Sequence, residues 1–166
     1  MPERGAVRIR DARAEEFDRI GELRVAAYRA DGLLSETYAD TLRVLGMDGT
    51  GEILAAMAGE HLIGTVMLTA WPHGGQVLHH PGEGEIRALA VASASRGRGI
   101  GRALLTAVIQ RAAAREVREL LLLTQPEMRA AQHLYAEAGF RRLPDRDYEY
   151  APGHRLFAFG MPLSGG

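Results

Sequence analysis

The sequence predicts an α/β fold, with helices and strands interleaved around one sheet. Three observations carry that prediction. The chain has 166 residues and 46% hydrophobic content, enough for one full core and too little for two comfortable domains, so residues 1–166 are expected to form a single domain. Apolar spacing alternates along the chain between a period of two and helical spacing. In the second half, "EIRALAV", a glycine-rich loop with an amphipathic stretch, and "ELLLLT" follow one another as a strand–helix–strand unit.

Taken in order, "AVRIR" alternates apolar and polar residues and reads as the first strand. "AEEFDRIGELRVAAY" sets Phe17, Ile20, Leu23, Ala27 and Tyr28 at helical spacing, with Glu15 and Glu16 well placed in the first turn. "SETYADTLRVLG" predicts a shorter helix with Ser35 as N-cap and Gly46 near its end. Glu52 to Thr69 reads as two strands joined at "GEH", and "WPHGGQVLHHPGEG" as a mobile loop rich in glycine and proline. Glu85 to Val91 is a strand, a helix runs from about Gly101 to Glu116, and "ELLLLT" is a buried strand. Pro126 suits the first turn of a helix covering "EMRAAQHLYAEAG", with Gly139 at its C-cap. "FRRL", a turn at "YEYAPG" and the strand "HRLFAFGMPL" close the chain.

Composition removes several chemistries. Net charge is -1, which provides no global basic field for a nucleic acid, so no nucleic-acid partner is expected. The sequence contains no lysine, asparagine or cysteine, which excludes lysine Schiff bases, thiol nucleophiles, disulfides and thiolate metal sites. The start "MPERGAVRIR" lacks an apolar stretch fit for a signal peptide, and no run approaches membrane-spanning length. No membrane association and a cytoplasmic location are expected. His61, His73, His79 and His80 lie in or near glycine-rich turns, and no metal site is expected from them.

The stretch "RGRGIGRALL", Arg96 to Leu105, places glycines 97, 99 and 101 at the opening of a helix. Glycines allow close main-chain approach, and a helix N-terminus offers unpaired N–H groups and positive dipole, so an anion such as a phosphate is the fitting ligand. Arg96, Arg98 and Arg102 add positive charge. A GxGxxG dinucleotide loop fails because Arg102 holds the third glycine's place, and a Walker A loop fails for want of lysine. The bland alternative is a tight strand-to-helix turn.

Arg96, two residues, Gly99, one residue and Gly101, after "EIRALAV" and before "RALL", resemble motif A of the GNAT superfamily of acyl-CoA-dependent N-acetyltransferases. "LYAEAGF", Leu134 to Phe140, resembles a second stretch common in that family. The resemblance implies a mixed, mostly antiparallel sheet of about six to seven strands flanked by about four helices, with the cofactor-binding half at about residues 85–140. It implies acetyl-CoA as cofactor, its pyrophosphate held by Arg96, Gly97, Arg98, Gly99, Ile100, Gly101 and Arg102. The pantetheine arm would lie along Leu89, Ala90 and Val91, whose N–H groups could polarise the thioester carbonyl.

An amine acceptor must lose a proton before it attacks a thioester, so the reaction wants a base. Glu85 is the leading candidate, at the start of the strand before the loop, with Glu83 and bound water as rivals and a surface carboxylate or an ion pair with Arg87 as its structural alternatives. Alternation puts Glu85, Arg87, Leu89 and Val91 on one face and Ile86, Ala88 and Ala90 on the other. Tyr135 matches the tyrosine that the family uses to protonate the leaving thiolate; its alternative is helix core beside Leu134 and Ala138. Met128 stands where the family often has an asparagine that contacts the cofactor, so that contact falls to Thr124, Gln125 or water, or is missing. Tyr28, Tyr38, Trp71, Tyr148 and Tyr150 lie where the family shapes its acceptor pocket, or serve packing. The expected function is transfer of acetyl from acetyl-CoA to a primary amine, on a small molecule or peptide, in a ternary complex. A non-catalytic acyl-CoA sensor and a transferase of longer acyl-CoA are the rivals, and a homodimer is left open.

Overall fold

The computed structural model describes residues 6–32 and 35–163; the first five residues of the opening "MPERGAVRIR" lie outside them. Among the described residues, eight strands form one mixed sheet, accompanied by four α-helices. The chain falls into two compact units, residues 1–67 with 88–108 and residues 68–87 with 109–166.

In the first unit, β1 (Val7–Asp11) pairs antiparallel with β2 (Glu52–Ala58), Val7 opposite Ala58 and Asp11 opposite Leu54. Gly59, at φ +61, turns the chain from β2 into β3 (His61–Ala70), the hairpin expected at "GEH". A 3-10 turn at Ala14–Glu16 leads into α1 (Phe17–Ala30), which buries Ile20 against Ile53 and Met67, with Phe17, Leu45 and Met47 packed around them. Ser35 Oγ accepts the Tyr38 N–H at 3.2 Å and starts α2 (Glu36–Val44), as an N-cap serine should.

The apolar stripe of α1 contains one residue that hydrophobic spacing does not anticipate. Arg24, four residues after Ile20, is fully buried. Its guanidinium donates to the carbonyls of Leu42 and Leu45 at 3.0 and 2.9 Å, satisfying acceptors at the C-terminal end of α2.

β4 (Glu83–Val91), of which residues 83–87 belong to the second unit, begins two residues earlier than expected and runs parallel to β5 (Glu119–Thr124), Glu83 opposite Glu119 and Glu85 opposite Leu121. β5 pairs antiparallel with β8 (His154–Pro162), Thr124 opposite Phe157, and β8 also carries the two-residue β6 (Arg141–Arg142). The segment expected to be a turn at "YEYAPG" is instead a strand, β7 (Tyr148–Ala151), paired with β8 from Tyr148 opposite Leu156. Its alternating aromatic residues suit a strand, and only Pro152 and Gly153, the latter at φ +78, make the turn. This strand takes the sheet past the six to seven expected.

Two further boundaries depart from expectation. α3 runs Ile100–Ala114 and stops before Glu116, which adopts φ +61 while the Val117 N–H reaches back to the Ala112 carbonyl at 3.0 Å. α4 (Arg129–Ala138) starts three residues beyond Pro126, because the Gln132 amide donates to the Gln125 and Pro126 carbonyls and holds them in a turn. Gly139 closes α4 at φ +107, as the sequence predicts. The loop expected to be mobile contributes Val77 and Leu78 to a core with Leu121 and Ala158, and its backbone is tied to two glutamates.

Candidate active site

β4 leaves regular strand geometry at Ala88, whose φ is +54. A residue bearing a Cβ costs about 1–2 kcal/mol there, and such distortions re-aim the strand that follows. The ladder with β5 covers Glu83 to Glu85, whereas β4 runs on to Val91. From Ile86 to Val91 burial follows the predicted alternation, with Ile86, Ala88 and Ala90 buried and Arg87, Leu89 and Val91 half-buried, whereas Glu85, placed on the latter face, is buried.

A 3-10 turn at Ser93–Ser95 then delivers the glycine loop. Gly97 and Gly99 adopt φ +80 and +76, and a Cβ built at either would meet only open space. The glycines therefore serve backbone conformation and access, not packing. The Gly99 carbonyl accepts the Ala103 N–H at 3.0 Å, so α3 opens here with the N–H groups of Ile100 and Gly101 lacking helical acceptors. Gly64 on β3 makes room for this helix start: a Cβ there would come within 2.9 Å of Leu104 and 3.2 Å of Ile100.

All three loop arginines are exposed, and the Arg96 guanidinium binds Asp31 at 2.8 and 3.3 Å and the Ala27 carbonyl at 3.3 Å. Arg96 thus fastens the loop to the C-terminal end of α1, where a cation also suits the helix dipole.

The two candidate bases differ in their surroundings. Glu85 is buried, accepts the Gly75 N–H at 2.7 Å, and has the Arg87 guanidinium 3.7 Å away. Burial pushes its carboxyl pKa above the ordinary value, despite the opposing pull of Arg87 and the Gly75 N–H. Glu83 is also buried, but Arg146 binds its two oxygens at 2.8 and 3.1 Å, and the His79 and His80 N–H groups donate to it at 2.7 and 3.1 Å. Burial alone would raise its pKa; the guanidinium and the N–H groups outweigh burial and hold the carboxyl below its ordinary range. Of the two, Glu85 is the carboxyl with the raised pKa. Gly75 and Arg146 carry no local signal that sequence reading could have used.

Tyr135 is buried on α4, its ring 6.0 Å from Phe140 and 6.2 Å from Phe159, and burial pushes its hydroxyl up to about 12. It stays protonated at any working pH. Met128 occupies the N-cap of α4, and Thr124 Oγ1 donates to its sulfur at 3.6 Å. The thioether therefore engages one of the groups left to replace the absent asparagine. Among the described residues, no group of three or more His, Asp or Glu side chains gathers as a metal site, and no helix is long and apolar enough to cross a membrane.

Comparison with known proteins places the chain in a known class. Residues 10–140 match the Acetyltransferase (GNAT) family, and the chain belongs to that family. Among curated proteins, none matches this sequence. Similar solved structures include an acetyltransferase of the GNAT family from Staphylococcus aureus Mu50, with a TM-score of 0.74 at 16% identity, covering 96% of this chain and 100% of that one. PaiA N-acetyltransferase from Thermoplasma acidophilum, solved with coenzyme A, has a TM-score of 0.73 at 16% identity over 95% of this chain and 99% of that one. A Bacillus subtilis acetyltransferase, solved with CoA, has a TM-score of 0.68 at 22% identity over 95% and 99%. At these identities the likeness is one of fold.

Proposed function

We propose that the chain is an N-acetyltransferase that moves acetyl from acetyl-CoA to a primary amine by direct attack. The observation that carries this reading is the left-handed turn at Gly97 and Gly99, open where side chains would stand and leading into the unpaired N–H groups of α3. That cradle fits a pyrophosphate: its backbone can approach closely, Arg98 and Arg102 bring charge, and Arg96 holds the loop through Asp31. Leu89, Ala90 and Val91 offer main-chain groups to an amide-bearing arm, beyond the strained Ala88.

Acetyl-CoA supplies an activated acyl group as a thioester. Glu85 accepts the proton that the ammonium must shed, and its raised pKa brings it nearer neutral pH than an ordinary carboxylate. The new C–N bond replaces the C–S bond, the Tyr135 hydroxyl gives a proton to the departing sulfur, and the second proton that the nitrogen sheds as the amide forms restores that of Tyr135 through solvent. Support for Tyr135 is its match to the family's tyrosine and its retained proton.

The test is thiol release from acetyl-CoA across a panel of polyamines, amino acids, aminoglycosides and peptide N-termini, with acetyl-CoA affinity measured by calorimetry on wild type and Gly99→Asp. Turnover with at least one amine, and affinity lost in a folded Gly99→Asp, are the expected results. Binding without turnover across the panel would make the chain a sensor of acyl-CoA; equal affinity in the variant would remove the loop from the site.

A further inference from the structure

At the opposite end of α1 from the glycine loop, four arginines converge on a groove that the transferase reading leaves unused. Arg8 and Arg10 sit on one face of β1, two residues apart, and Arg13 and Arg19 flank the 3-10 turn that starts α1. With Met57, Gly59 and Glu60 they line a cavity of about 660 Å³. We propose that this groove binds a small anion carrying at least two negative charges, of the phosphate or polycarboxylate class.

The argument starts from Glu16, the carboxylate sunk beneath the cluster. Glu16 is 3% exposed and accepts Arg10 through both oxygens at 2.8 and 2.6 Å, together with the Arg13 backbone N–H at 2.8 Å. Arg19 stands 3.6 Å from the same carboxylate, with its side chain 56% exposed. Arg10 is therefore spent internally as a paired, positioned cation. Among the described residues, Arg8, Arg13 and Arg19 face the groove, Arg19 also paired with Glu16 at 3.6 Å, and four guanidinium groups meet two carboxylates in the lining. Glu15, outside the lining, also faces Arg10.

Two geometric features turn this excess charge into a site. Met57 is opposite Arg8 in the β1–β2 register and buried, which gives the groove an apolar floor. Gly59, at the hairpin tip, has nothing within 4 Å of where a Cβ would lie, so the rim there is open backbone. Guanidinium forks on such a rim suit bidentate contacts with phosphate or carboxylate oxygens, and the dipole at the start of α1 acts in the same direction. The groove is separate from the coenzyme loop. α1 has 14 residues, so its ends lie roughly 20 Å apart at 1.5 Å per residue; Glu16 and Arg19 belong to one end, while Arg96 grips Ala27 and Asp31 at the other.

Amide NMR mapping on the full chain with excess coenzyme A present, to occupy the loop, tests the proposal with two probes, inorganic pyrophosphate and citrate. The expected result is saturable shifts confined to the amides around Arg8, Arg13, Arg19 and Gly59. The variant Arg8→Gln/Arg19→Gln, which spares the Arg10–Glu16 pair, should weaken binding at least tenfold. Pyrophosphate alone shifting these amides assigns a phosphate ligand, citrate alone a polycarboxylate. Absence of saturable shifts with both probes, or affinity unchanged in the double variant, overturns the proposal.

Discussion

Replacing Arg146 by alanine should show how this fold keeps a buried carboxylate charged. Arg146, at the end of a 3-10 turn, donates to Glu83 at 2.8 and 3.1 Å and to the Val77 carbonyl at 2.5 Å, and so ties β4 to the loop that carries Gly75. The Glu83 side chain is 8% exposed and that of Arg146 20%. Removing one member of a buried pair costs about 3–5 kcal/mol, and the partial exposure of Arg146 places this case at the lower end, about 3 kcal/mol. For a chain of this length that corresponds to a melting temperature lower by roughly 6–12 °C. The sign of the pH dependence follows from the shift. Glu83 is held below its ordinary pKa, so its stabilisation is complete above the unfolded carboxylate pKa and is lost as pH falls through the folded one. Without Arg146, burial dominates and the folded pKa rises, so the deficit should be largest at neutral pH and shrink towards pH 4.5. Calorimetric melts of wild type, Arg146→Ala and Arg146→Lys at pH 7 and pH 4.5 measure it, with the lysine variant recovering part of the loss. A deficit below about 1 kcal/mol, or one equal at both pH values, would refute the reasoning.

Four further outcomes follow. Glu85→Gln should lower kcat/KM by roughly 10²-fold or more at neutral pH and abolish the rise with pH that the raised carboxyl pKa produces, with recovery at high pH where the amine is already neutral; an unchanged pH profile would transfer the role to Glu83 or water. The same change should leave stability equal or higher, because a carboxylate with a raised folded pKa costs stability when charged. Tyr135→Phe keeps the ring contacts with Phe140 and Phe159 and should reduce kcat with acetyl-CoA affinity constant; full turnover would leave Tyr135 as core alone. Glu16, held down to about 2 chiefly by Arg10, contributes stability that is present above the ordinary carboxylate pKa and lost as pH falls towards 2, and denaturant titrations of Glu16→Gln should show a flatter acid limb than wild type.

The sequence alone determined what is local. Ser35 capping α2, Gly139 closing α4, the hairpin at Gly59 and the glycine turn into α3 were all legible, because a few adjacent residues decide a cap or a positive φ. The alternation that sets Leu89 and Val91 apart from Ala88 and Ala90 was legible for the same reason, although the left-handed kink at Ala88 was not, since alanine does not announce it. Tertiary structure decided which charges are used and how. Arg96 meets Asp31 across 65 positions, Arg146 meets Glu83 across 63, and Arg24 reaches α2 carbonyls from what reads as an apolar stripe. The difference between Glu83 and Glu85, two glutamates separated by one glycine, arises from these distant partners: one carboxylate receives a guanidinium and stays ionised, while the other is buried with weaker compensation and has a raised pKa. Burial and pairing are properties of where the chain returns to itself, and local pattern does not encode that.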